Sequence, residues 1–470
     1  MPLRTEFNLT SGRTGERRPA ARGPLRLLLL GDFSAKPAAQ RPPLASRPTR
    51  QVDIDNLDQV LASLAPQLPD SDIQFNGLDD FHPDQLYARL ERFQAMRQAR
   101  QQAPPVVTAK HTGTASSSGM ASGGVSGTDL LGQLLGPPGS PVAVPRPAAP
   151  AGGLDGMLQN LLAPHVTPDR AADIRTHQAA VDSASTEQMR RLLHDPAFQA
   201  LEAAWRGVHW LVSNLELGER LELHLFDAAR DELLADVIAA QGQLAQTGLH
   251  QALADRWRNV PGGQPWHALL GLYRFGPSDA DIGLLAALGL IAAQAGGPLL
   301  AGALPTLADP AATAQTGWPS LRRSEAAPWI GLAAARLLLR LPYGKKTDPL
   351  ESFAFEEFDA TPVQQEFLWG DGALALGLLL GRSFMARGWA FEPGDERDIA
   401  DLPAFSYLVD GEPELQACAE CYLSDEDGRA ALAAGLMPLL SHRHRNAVTV
   451  PRFQSVADPA CPLAGFSASA

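Results

Sequence analysis

Residues 103–153 are rich in Pro, Gly, Ser, Ala and Thr. Such a composition cannot bury enough apolar surface to offset the entropy of ordering the chain. It therefore acts as a linker and divides the 470 residues into a shorter leading part and a longer trailing part. The expected organisation is a basic disordered arm at 1–22 and a small α/β unit at 23–102. The linker at 103–153, a large body at 154–458 and a disordered tail at 459–470 follow.

The first ordered signal is LRLLLLGDFS at residues 25–34. Its uninterrupted apolar run, Leu27 to Leu30, is too short for a secretory signal core and far too short to cross a bilayer. An apolar run of this length closed by Gly31-Asp32 predicts a strand buried on both faces. A second strand is expected at Arg50–Ile54. Asp55-Asn56 then serve as cap for a helix at 57–65, with Leu57, Val60, Leu61 and Leu64 on one side. A short strand at Ile73–Phe75 is expected next. FHPDQLYARLERFQAMRQAR follows, a helix opened by Pro83 with Asp84 in its first turn, and Leu86, Leu90, Phe93 and Met96/Arg97 on one face.

In the large body, HDPAFQALEAAWRGVHWLV predicts a helix capped by Asp195, with Pro196 at its first position. Phe198, Leu201, Trp205 and Val208 share a face, and Glu202–Arg206 form an i,i+4 pair. RLELHLFD, a helix at 229–240, and ALLGLYRF continue the alternation of strand and helix, which predicts a mostly parallel sheet with covering helices. The apolar stretch Ile282–Leu304 is broken by Gly296-Gly297-Pro298. It reads as a buried helix to Ala295 and a strand at Leu299–Ala303, with no membrane insertion. A helical run at 367–387 leads into FSYLVD, ELQACAECYLSD and GLMPLL. The fold class expected is mixed α/β and α+β: a small α/β unit linked to a larger three-layer α/β body with an α+β C-terminal part.

Charge is unevenly distributed. Residues 1–50 carry ten Lys/Arg and three Asp/Glu, which leaves 29 of the 39 bases and 49 of the 52 acids to the other 420. An acidic body argues against a surface that tracks nucleic-acid phosphates. Three cysteines imply no disulfide framework and agree with a cytoplasmic protein.

Motif by motif, little asks for catalysis. GKKT at 344–347 lacks the earlier glycine of a phosphate-binding loop, that position being Leu339. Cys418 and Cys421, with His442 and His444 downstream, sit in a segment that alternates as a strand, where an i,i+3 pair points to opposite faces. His82-Pro83-Asp84 is better explained as a helix start than as the tripeptide of J-domains. No catalytic residue, cofactor or metal is expected. Inside the linker one island stands out, TDLLGQLLG. Its Leu130, Leu131, Leu134 and Leu135 recur at helical spacing after Thr128-Asp129, the pattern of a peptide that folds into a partner's groove.

Several long patterns then occur in one order. Residues 25–97, with LRLLLLGDFS, VDIDNLDQVL and LDDFHPDQLYARLERFQAMR, resemble the small sheath subunit of the type VI secretion system, the TssB family. Residues 154–457 resemble the large sheath subunit, the TssC family, through LLHDPAFQALEAAWRGVHWLV, WPSLRRSEAAPWIGLAAARLLLRLPYG, FAFEE, EFLWGDGALALG, RSFMARGWAF and GLMPLL.

The resemblance implies a fused pair of contractile-sheath subunits acting through strands that complete one another's sheets. Its implied partners are sheath subunits (self or of the TssB/TssC type), baseplate proteins, the inner tube, and a sheath-disassembling AAA+ ATPase that grips TDLLGQLLG. The small-subunit likeness stops near Arg100, and the large-subunit likeness soon after VPRFQSVADPA, so the expectation is a truncated subunit. Around FEPGDERDIADLP there are fewer glycines than the family carries. The alternatives are a non-propagating cap, baseplate adaptor or regulator of sheath assembly, and an enzyme with an unrecognised site in the α/β body.

Overall fold

The structure is a computed structural model that describes residues 23–68, 71, 73–102, 170–259, 262–359, 362–409, 412–443 and 445–466. The chain forms two compact units, Met1–Leu90 with Met189–Ala470, and Glu91–Gln188.

In chain order the main elements are β1 (Leu25–Gly31), β2 (Arg50–Val52), α1 (Leu57–Leu64), α2 (Pro83–Arg89), α3 (Gln94–Gln101), α4 (Arg170–Leu193) and α5 (Pro196–Asn214). They continue with β3 (Leu221–Asp227), α6 (Arg230–Ala239), β4 (Ala268–Phe275), α7 (Asp279–Ala295), β5 (Leu299–Ala303) and β6 (Ile330–Ala334). The last are α8 (Gly372–Arg387), α9 (Asp425–Ala433) and β7 (Leu436–Pro438).

The seven strands form one sheet in the order β7-β6-β5-β4-β1-β3-β2. All neighbours are parallel except the edge strand β2, which runs antiparallel to β3. The first strand of the chain therefore lies inside the sheet. Leu27 faces Leu223 on one side and Ala268 on the other. A position between two parallel neighbours accounts for the unbroken leucine run, because both of its faces must be apolar. Leu25 and Leu27 to Leu30 have no exposed surface.

Helices cover both faces, as the three-layer expectation requires. Leu269 and Leu332 belong to the cluster built around α7, whereas Leu270 and Ala333 meet α8. Adjacent residues of a strand point to opposite faces, so α7 and α8 lie on opposite sides of the sheet. A side chain at Gly377 would overlap Leu270, so glycine there lets α8 approach the sheet closely. Gly296 ends α7 at φ +116°, where a residue with a Cβ would be strained.

The leading residues are tied to the trailing ones by polar contacts as well. Asp227, at the end of β3, accepts hydrogen bonds from Phe33 N (2.9 Å), Ser34 N (3.0 Å) and Ser34 Oγ (2.7 Å). Trp205 Nε1 of α5 donates to Phe33 O at 2.9 Å. Asp195 caps α5 as expected, accepting from Ala197 N and Phe198 N.

Three local expectations fail. Asn56 precedes α1, but its carboxamide accepts from Asp53 N at 3.0 Å and does not cap the helix. Ile73 and Phe75 are buried without forming a strand, since Phe75 is held by stacking on Phe81 at 4.3 Å rather than by a sheet partner. The helix from Pro83 stops at Leu90, whose ψ of 134° is extended, before the chain resumes as α3.

Within Glu91–Gln188, a ring nitrogen of His177 on α4 lies 3.0 Å from Ala99 O, and Arg100 pairs with Asp182 at 2.8 Å.

Candidate functional site: an open-edged hairpin

Phe405 and Gln416 open a second, two-stranded sheet, in which Ser406–Val409 runs antiparallel to Glu412–Leu415. Its register pairs Ser406 with Leu415, Tyr407 with Glu414, Leu408 with Pro413 and Val409 with Glu412. Gln416 N donates to Phe405 O at 2.8 Å, which makes that pair a hydrogen-bonded one. Hydrogen-bonded and non-bonded pairs alternate along an antiparallel ladder. Tyr407 with Glu414 and Val409 with Glu412 are thus the inward pairs, and the backbone groups of Ser406 and Leu408 point away from the partner strand.

The two outer edges of this hairpin differ. On the Glu412–Leu415 edge, Pro413 has no N–H to offer, and Leu415 O already accepts from Tyr422 Oη at 3.1 Å. On the Ser406–Val409 edge, no hydrogen bond reaches the outward N–H or C=O of Ser406 or Leu408 among the described residues. Leu408 is 65% exposed. A two-stranded hairpin is marginal in water, and an unpaired edge is a template for another strand.

The base of the hairpin is firm. Phe405 packs against Phe358 (6.1 Å) and Phe367 (5.7 Å), and Phe367 against Trp369 (5.9 Å). Tyr407 stacks along Phe405 at 6.3 Å, so one face of the strand is anchored while Leu408 faces outward. Partial burial, and then the Glu414 carboxylate opposite, push the Tyr407 phenol above its usual range. Past the hairpin, Leu338 N donates to Cys418 O at 2.8 Å and Ala419 N to Ser441 Oγ at 2.7 Å.

Elsewhere in the same unit is a buried polar network that sequence reading missed. Glu202 of α5 and Glu357 are buried, and Arg340 bridges them, with Nε 2.9 Å from Glu202 and Nη1 2.8 Å from Glu357. Arg206 bonds Glu202 at 2.7 Å and donates to Tyr343 Oη at 2.7 Å. Burial alone would raise the Glu357 carboxyl, but Arg340, His194 and Tyr343 N together hold it at about 2. Burial pushes the Tyr343 phenol up to about 12. The i,i+4 spacing of Glu202 and Arg206 was visible. That it lies in the core, completed from residues 340–357, was not.

The remaining expected sites fall as follows. Leu130, Leu131, Leu134 and Leu135 lie outside the described residues. GKKT forms a turn in which Gly344 N donates to Asp348 O. Cys418 is buried and donates to Pro403 O, Cys421 is exposed, and His442 meets Thr449 Oγ1 at 2.8 Å. No helix among the described residues is long and apolar enough to cross a membrane.

Residues 11–106 match the family described as "Type VI secretion system, VipA, VC_A0107 or Hcp2". Residues 176–457 match VipB, "EvpB/VC_A0108, tail sheath N-terminal domain". The chain is 32% identical over 318 residues to the type VI secretion system sheath protein TssC1 of Pseudomonas aeruginosa PAO1, an alignment covering 63% of this chain. It spans 64% of that relative's length. With its TssB-like leading part and the longer match beyond it, the chain belongs to the VipB (TssC-type) tail sheath family.

Proposed function

We propose that this chain is a structural subunit of a type VI secretion sheath, a fused TssB–TssC-like protein that joins its neighbours by strand addition. The observation that carries the reading is the hairpin Ser406–Val409/Glu412–Leu415, with one edge open and the other blunted. An incoming strand would pair with the N–H and C=O of Ser406 and Leu408, so backbone bonds supply the strength and the exposed Leu408 the contact. Sheath subunits are the partners this reading requires, and the cytoplasm is where they would meet. Its work is assembly rather than bond chemistry. Baseplate proteins and the inner tube are further partners of the same reading.

The test uses Leu408→Pro. It removes one outward N–H without touching a bond inside the hairpin, whereas Glu414→Pro breaks an inward pair. Purified full-length protein would be mixed with TssB- and TssC-type subunits and followed by sedimentation and electron microscopy. Leu408→Pro is expected to keep the monomer's circular dichroism and lose co-assembly. Co-assembly of Leu408→Pro at the wild-type level overturns strand addition at this edge.

A further inference from the structure

A cleft of about 210 Å³ opens beside the carboxyl ends of β1 and β3, lined by Lys36, Arg41, Arg47 and Arg50 together with Asp227 and Leu64. In parallel α/β sheets the carboxyl ends of the strands are where ligands lodge.

The charges are not all used. Arg47 is engaged by Glu232 and by Asp227 O. Asp227 is occupied by Phe33 N, Ser34 N and Ser34 Oγ. Arg41 bonds Asp32 through Nη2 (2.6 Å) and Lys36 O through Nε (2.7 Å). Its buried Nη1 makes no hydrogen bond: the Asp227 and Glu232 carboxylates, at 3.7 and 3.9 Å, are within ion-pair range but beyond hydrogen-bond reach. The Arg41 side chain is only 3% exposed. A buried guanidinium donor without an acceptor calls for an anion or water that completes it. Arg50 has no side-chain hydrogen bond or ion pair among the described residues, and Lys36 spends one donor on Leu64 O at 2.8 Å. Counting Asp32 and Glu232 with Asp227, the three carboxylates leave the four cations in excess.

We propose that this cleft binds a small phosphate-type oxyanion, held by Arg41, Arg50 and Lys36. Guanidinium groups match tetrahedral oxyanions through paired donors, and the ammonium adds a point charge. The site does not depend on the sheath reading. It would stand in a monomer that assembles with nothing.

The probe is inorganic phosphate, measured on the full-length chain by equilibrium dialysis with radiolabelled phosphate and by thermal unfolding at constant ionic strength, with chloride as the matched control. The expected result is saturable binding with a rise in Tm that follows occupancy, absent with chloride. Arg50→Glu combined with Lys36→Gln should weaken binding by about tenfold or more. Arg50→Glu alone, which has no partner to lose, serves as the second variant if the double one unfolds. No saturable binding at millimolar phosphate, or a folded variant that binds as the wild type does, overturns the proposal.

Discussion

Arg26 and Glu222 stand opposite one another in adjacent parallel strands, and their side chains pair at 3.2 Å across 196 positions of sequence. One belongs to the TssB-like part and the other to the VipB-matching part, so the sheet is a single structure to which both contribute. Cutting the chain at a protease site engineered at Gly123-Gly124 should leave both fragments co-eluting in gel filtration, separating only in denaturant. Fragments that part in native buffer would contradict the interleaved sheet.

Leu29 sits between Leu225 and Leu270 with no exposed surface. Leu29→Ala should destabilise the unit by about 2–5 kcal/mol, the usual cost of a large-to-small change in a packed interior. Urea unfolding measures it. A change under ~1 kcal/mol would mean that the neighbours close the cavity.

Leu408→Ser makes a contrast. At 65% exposure its loss should move stability by no more than about 0.5 kcal/mol, while assembly with sheath subunits weakens. A large loss of stability would show that the hairpin leans on Leu408 for its own folding.

Glu357→Ala leaves Arg340 buried with half of its partners gone and should cost about 3–5 kcal/mol. The same carboxylate sets an acid dependence. Its folded value of about 2 lies below the ordinary 4.5 of a free glutamate, so the native state releases this proton more readily. The stability it contributes is present above roughly pH 4.5 and is lost as pH falls toward 2. Urea midpoints measured across that window should fall more steeply for the wild type than for Glu357→Gln. Parallel slopes would assign the acid sensitivity to other groups.

The proposal that the linker peptide TDLLGQLLG docks on the N-terminal domain of a sheath-disassembling AAA+ ATPase predicts that Leu131→Asp together with Leu134→Asp abolishes that binding. A titration with unchanged affinity would retire that partner.

Much of the sheet was legible because its strands carry their own signature. Leu27 to Leu30 and Leu299 to Ala303 are apolar without alternation, as strands covered on both faces must be. The neighbour of each strand was not legible, since parallel pairing between Leu29 and Leu225 leaves no mark in local sequence. Ile73 and Phe75 show the opposite failure. Their alternation imitates a strand, but burial here comes from aromatic stacking and the backbone finds no ladder. At Ser406–Leu415 the sequence showed FSYLVD and ELQACAECYLSD only as parts of an α+β region; that they fold back on each other as a hairpin, with the strand ending at Leu415, was not legible. The hairpin's unequal edges depend on register, which only the three-dimensional pairing of Leu408 with Pro413 fixes. Arg340 gave no sign at all, because its meaning rests on two glutamates 138 and 17 positions away.

The placement of β1 also bears on supply. Where the middle of a sheet comes from the same polypeptide as its flanks, the two parts are made in equal number by a single act of translation. No surplus of one half can accumulate with a naked slot awaiting its strand, and no search for a mate through a crowded cell is needed before folding can finish.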